Sequence, residues 1–238
     1  VTEWRPIGVI GGMGPAATAD FLARLVVAVG AARDSDHPRV LIDSNPCVPD
    51  RNAARSGLGP SPGPVLAAMA RGLVAQGAEI LVMPCNAAHG WADDVIAATT
   101  ARFVSMVDAA VAAAVVAVAA ARARQVGIIA VGATLDARLY HDRLATVGIA
   151  VIECDRRVVQ PLVAAIKAGD TGPIVCAALA AEAARLAACG AGAVIAACTE
   201  VPLVLRAADV PVPFIDATAA LVKATLAAAR HNPGLGAV

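Results

Sequence analysis

Two cysteines stand where acid–base chemistry would need them. Cys85 closes the stretch QGAEILVMPCN and Cys198 closes CGAGAVIAACT, and each lies at the same spacing from a Gly-Ala pair that begins at Gly77 or Gly190. In both, an apolar run of the kind that forms a buried strand stops, a thiol follows, and then comes a small polar residue, Asn86 or Thr199. A thiolate is favoured by a helix N-terminus and by nearby cations. Two thiols on opposite faces of one carbon can do what one cannot: a thiolate removes a proton from one face while a thiol delivers a proton to the other, inverting the centre. Either cysteine alone reads equally well as packing, because free cysteine is among the most buried residue types. The matched pair argues for chemistry.

Such a pair must be held by a scaffold that repeats. Short β-rich runs (PIGVIGG, RVLIDS, AEILVMPC, RFVSMVD, QVGIIAVG, GIAVIEC, GAVIAAC, VPFID) alternate with helical stretches such as ATADFLARLVVAVGAA. Strands alternating with helices imply parallel sheets covered on both faces. The run from Ile7 to Ile10 is echoed by Val126 to Ile129. The expected fold is therefore α/β with two pseudo-symmetric lobes, residues 1–108 plus 217–238 and residues 109–216, with the last helix returning to the first lobe. After each cysteine a further strand is expected to end in aspartate, Asp108 or Asp216. Ligands of parallel α/β sheets bind beyond the carboxyl ends of the strands, which puts both thiols beside one cleft between the lobes. SGLGPSPGP (56–64) reads as a mobile loop over it.

Other residues are candidates with bland alternatives. Arg51, in the proline-rich NPCVPDRNAA, is a surface cation by default and a carboxylate clamp otherwise. Lys167 ends a helical stretch, where a cation also suits the helix dipole. Glu200 is placed to adjust the Cys198 thiol, and His89 reads mainly as structural. Cys176 and Cys189 read as helix packing, Cys47 as a loop residue and Cys154 as a strand-end residue. GGMGP (11–15) is a glycine turn opening a helix and could hold an anion. Gly12-x-Gly14-x-x-Ala17 keeps a nucleotide-binding alternative open, although Pro15 removes a donor and Asp43 is too distant for the usual ribose contact. No metal-ligand spacing accompanies Cys85 and His89.

Composition narrows the classes. The 238 residues are 58% hydrophobic and only 3% aromatic, so the core is aliphatic, and the formal net charge of zero gives no case for nucleic acid or an anionic membrane. No signal peptide is visible, and the apolar stretch 109–121 is too short to span a bilayer. The six cysteines suit reduced thiols in a cytoplasmic protein. Lysines occur only at 167 and 223, which leaves little choice for a pyridoxal Schiff base.

The stretches IGVIGGMGPAATADF, LIDSNPCVPDR, VMPCNAAH, ATLDARLY, CTEVPLVL and VPFIDAT together resemble the aspartate/glutamate racemase family, most closely its aspartate racemase branch. They span nearly the whole chain. The resemblance implies a cofactor-independent isomerase, usually a homodimer, that acts on a small acidic amino acid. Cys85 and Cys198 match the family's two acid–base cysteines. Arg51 and Lys167 match basic positions associated with the substrate's side-chain carboxylate. Met13, Asn86, Thr134, Thr199 and Glu200 match pocket positions. Ala87 stands where the family commonly has threonine, and Ala133 where it has glycine; the backbone at Asn86–Ala87 and Thr199–Glu200 is then the expected donor to the α-carboxylate. A non-catalytic amino-acid binding protein, a related isomerase and a thiol redox protein are the competing readings. The last would normally keep its cysteines close in sequence.

Overall fold

The computed structural model describes residues 4–230. The first four strands are β1 (Ile7–Gly11), β2 (Val40–Ser44), β3 (Ile80–Val82) and β4 (Arg102–Val104), interleaved with α1 (Pro15–Val29), α2 (Arg51–Arg55), α3 (Gly63–Ala75) and α4 (Ala92–Ala98). Then follow α5 (Met106–Ala120), β5 (Gln125–Ile129), α6 (Gly132–Asp136), α7 (His141–Ala145), β6 (Ala150–Glu153), α8 (Arg156–Lys167), α9 (Pro173–Ala188), β7 (Val194–Ala196), β8 (Phe214–Asp216) and α10 (Ala217–Ala229).

Two four-stranded parallel sheets result, ordered β2-β1-β3-β4 and β6-β5-β7-β8. The orders are the same once corresponding strands are matched. Parallel strands need crossovers, and the helices supply them. β1, β3 and β7 are buried throughout, which is why they read as unbroken apolar runs. β2, at a sheet edge, is half-exposed.

Glycine marks the same structural need in both lobes. A Cβ at Gly8 would lie 2.8 Å from Ala78 Cβ and 3.2 Å from Leu73 Cβ, and a Cβ at Gly127 would lie 2.9 Å from Leu186 Cβ. Each strand thus lets its covering helix, α3 or α9, press onto the backbone. α5 follows β4 in the chain but packs on β5, β7 and β8, whereas α10 follows β8 and packs on β3, β4 and α1. α5 and α10 also pack on each other, so each lobe is closed by a helix next to the other. Their buried faces include Ala110, Ala114, Ala217, Ala228 and Ala229, and small side chains permit the close approach that an aromatic-poor core requires.

Three local expectations differ from the structure. Asp108 does not end a strand: β4 stops at Val104, and Asp108 lies in the first turn of α5, its N–H donated to the capping Ser105 Oγ at 3.1 Å. Asp216 does end β8 and caps α10 through the N–H groups of Thr218 and Ala219. Cys189 is exposed at the end of α9 rather than packed. Of 56–64, Gly63 and Pro64 already belong to α3.

Candidate active site

Strand order reverses between β1 and β3 in one lobe and between β5 and β7 in the other, and a crevice opens at the carboxyl ends there. Cys85 follows β3 and Cys198 follows β7. Both line one small cavity. Met13, Arg51, Asn86, Ala87, Thr134, Lys167, Thr199 and Glu200 line it too, so all ten residues singled out from sequence converge. Asn52, Val131 and Ala197 also line it and were missed. Asn52 follows Arg51 in the first turn of α2, and Ala197 precedes Cys198. Val131, the N-cap of α6, carries no chemical signal in sequence.

The wall between the lobes is hydrogen-bonded. Asn52 Oδ1 accepts from the Ala133 N–H at 2.8 Å, and Arg55 donates to the Asp136 carbonyl at 3.0 Å, joining α2 to α6. Asp50 caps α2 through the Ala53 N–H at 2.8 Å. Arg51 donates to the carbonyls of Val48 and Pro49 at 3.2 and 3.1 Å, which orients a half-buried guanidinium along the cavity rather than into solvent. The glycine turn is closed on itself. Gly12 has φ +90°, and its N–H donates to Thr18 Oγ1 at 2.9 Å. That donor is not free to cradle a phosphate, which weakens the nucleotide alternative.

The two thiols sit in unlike surroundings. Each was expected at a helix N-terminus that would favour thiolate; instead short 3₁₀ turns, 87–91 and 201–203, follow them. Burial is the larger effect and pushes the Cys85 thiol up from its ordinary value, opposed by Arg51, by the Ala88 N–H and by Lys167. Cys198 is pushed well up, by burial first and then by Glu200. Its Sγ–H donates to Glu200 Oε2 at 3.0 Å, the same oxygen that accepts Thr199 Oγ1 at 3.1 Å. Lys167 Nζ lies 3.8 Å from Glu200 Oε1. Glu200 also raises Cys85 and Lys167 also lowers Cys198, so both thiols feel both charges; Cys198 is set apart by its hydrogen bond to the carboxylate, and Cys85 by Arg51.

His89 is structural in a specific way. Its Nδ1–H donates to the Cys85 carbonyl at 2.8 Å, and Nε2 accepts from the Met106 N–H at 3.0 Å. An accepting Nε2 requires the neutral ring, and burial lowers its pKa to about 4. Cys154 is buried beside the Ala130 backbone, away from the cavity, with its thiol raised to about 11 by burial. Two buried side-chain atoms of the cavity residues have no partner: Asn86 Nδ2 and Thr134 Oγ1. Buried polar atoms are normally paired, with protein, ordered water or a ligand. A larger groove of about 1300 Å³ between α1 and α10 contains neither cysteine nor histidine. Among the described residues no group of three or more His, Cys, Asp or Glu could hold a metal ion, and no helix is long and apolar enough to cross a membrane.

Two matched parallel-sheet lobes with a pocket lined by both make this a two-lobed α/β protein of enzyme-like design. A family model, Asp/Glu/Hydantoin racemase, matches residues 10–225, and the chain belongs to that family. Its structure is similar to Picrophilus torridus aspartate racemase, with 25% sequence identity, 94% of both chains covered and a TM-score of 0.83. An aspartate racemase homologue from Pyrococcus horikoshii shares the fold at 21% identity, covering 94% of this chain and 98% of that one, with a TM-score of 0.72. So does glutamate racemase from Francisella tularensis, solved in complex with D-glutamate, at 20% identity, 92% and 78% coverage and a TM-score of 0.69.

Proposed function

We propose that the protein is a pyridoxal-independent racemase that interconverts L- and D-aspartate, with glutamate the next substrate to consider. The observation that carries this reading is a thiol from each lobe, at equivalent strand ends, on one cavity that also holds Arg51 and Lys167. The reaction is a 1,1-proton transfer. One cysteine, as thiolate, takes the α-proton and becomes a thiol. The other, as thiol, gives its proton to the opposite face and becomes a thiolate. The sulfurs exchange protonation states, so the reverse turnover starts where the forward one ends. The two sulfurs share Glu200 and Lys167 as neighbours, so their titrations belong to the pair rather than to either thiol.

The obstacle is the weak acidity of the α-C–H. As it breaks, negative charge moves onto the α-carboxylate, and fixed donors there act more strongly in the transition state than on the substrate. The unpartnered Asn86 Nδ2 and Thr134 Oγ1, with the backbone beside Ala87 and Thr199, are placed for that role. Arg51 and Lys167 would take the distal carboxylate, which limits the rotation of the substrate and brings its α-carbon to the sulfurs.

Incubation with L-aspartate in heavy water tests the reading. Deuterium should enter the α-position and D-aspartate should accumulate, and Cys85→Ser or Cys198→Ser should lower racemisation by roughly 10²–10⁴-fold with the fold intact. Binding of aspartate with no α-exchange rejects the enzyme in favour of a binding protein. Full activity in either variant rejects the two-thiol scheme.

A further inference from the structure

Tyr140, the chain's single tyrosine, is 1% exposed and lies in the turn between α6 and α7 of the second lobe. Asn86, 2% exposed, lies in the first, beyond β3 and directly before the 3₁₀ turn 87–91. The Tyr140 hydroxyl donates to Asn86 Oδ1 at 2.5 Å across the boundary between the lobes. We propose that Tyr140 is a positioning residue: it turns the Asn86 amide so that Nδ2 faces the cavity as a hydrogen-bond donor to the substrate's α-carboxylate. The identity of that substrate as an amino acid rests on the function proposed above; the orientation of the amide does not.

The sense of the amide follows from counting donors. A phenol has one O–H and must find an acceptor when buried. Asn86 Oδ1 is the acceptor it has, and no other side-chain bond from Tyr140 exists among the described residues. Were the amide reversed, the phenolic oxygen would accept from Nδ2, and the phenolic proton would be left without a side-chain acceptor among the described residues. Burial also raises the Tyr140 hydroxyl far above neutral pH, so it remains a donor throughout the working range. The other end of the amide is then Nδ2, buried and unpartnered, on a side chain that lines the cavity next to Cys85. An unpaired buried donor is costly, and that cost is recovered when an anion completes it.

The orientation matters to the chemistry because charge grows on the α-carboxylate. A donor at residue 86 lowers that barrier, while a carbonyl oxygen in the same place would raise it. Because donor and acceptor come from different lobes, the amide is oriented only when the lobes are docked.

A mutant cycle separates positioning from ordinary packing. Tyr140→Phe, Asn86→Ala and the double variant are compared with wild type, with kcat and KM for aspartate measured by α-proton exchange and Kd by calorimetry. Tyr140→Phe should lower kcat roughly tenfold, the loss expected from one buried hydrogen bond. In the Asn86→Ala background the same change should have almost no further effect, because there is no amide left to orient. Equal losses in both backgrounds, or no loss in the wild-type background, overturn the proposal. If wild type binds aspartate without exchanging its α-proton, the racemase reading fails, and the same cycle read in Kd still decides the role of Tyr140. If it neither binds nor reacts, both fall.

Discussion

His89 should make the protein acid-labile by a calculable amount. Its neutral ring links the Cys85 carbonyl to the Met106 N–H at the start of α5, and the side chain is 6% exposed. Protonating Nε2 destroys the acceptor and leaves a buried N–H without a partner. The folded-state pKa is about 4 against an ordinary 6.5. In that interval the unfolded chain binds the proton and the folded one does not. The contribution is therefore fully present above pH 6.5 and is lost as pH falls through 4. At 1.36 kcal/mol per unit the loss amounts to about 3 kcal/mol, a large share of the stability of a typical domain. Urea unfolding between pH 7.5 and 4 measures it. His89→Gln removes the titration, so the difference in stability between wild type and variant should shrink by about this amount on acidification. A difference that stays constant with pH would show that His89 is not held neutral, and the account of how Cys85 is anchored would fail with it.

Two further outcomes concern the cavity. Arg51→Ala should raise KM for aspartate roughly 10- to 100-fold, the worth of a charge-assisted bond to a carboxylate, and leave affinity for alanine little changed; equal losses refute the clamp. Glu200→Gln removes the carboxylate that raises the Cys198 thiol, so Cys198 ionises more easily and the alkaline limb of kcat/KM, where the last thiol proton is lost, should move to lower pH. An alkaline limb that does not move means that Glu200 does not govern that thiol.

The eight strands were legible because buried parallel strands are short apolar runs between helical stretches, and each run proved to contain a strand. The repetition of QGAEILVMPCN in CGAGAVIAACT was legible for the same reason: equivalent strands bury equivalent surfaces, and the sheets share one order. Local detail was harder. The aspartate after the fourth strand was misplaced because a run of apolar residues does not reveal where strand gives way to helix, and Ser105 rather than Asp108 takes the cap. Helical N-termini after the cysteines were expected and 3₁₀ turns were found, since a Pro or Ala just beyond a strand, followed by a thiol, does not specify the hydrogen-bonding period.

Residue types and order alone determined a repeated α/β architecture and the cysteine pair that any acid–base reading must use. Only the tertiary structure decided the state of those groups. Ionisation depends on burial and on which charges lie closest: Glu200 stands two residues from Cys198 and was legible, whereas Arg51 and Lys167 reach Cys85 from distant stretches of chain. The Tyr140–Asn86 bond is likewise invisible in sequence, because a hydrogen bond between residues on separate lobes exists only once packing has brought a donor and an acceptor to the same buried point.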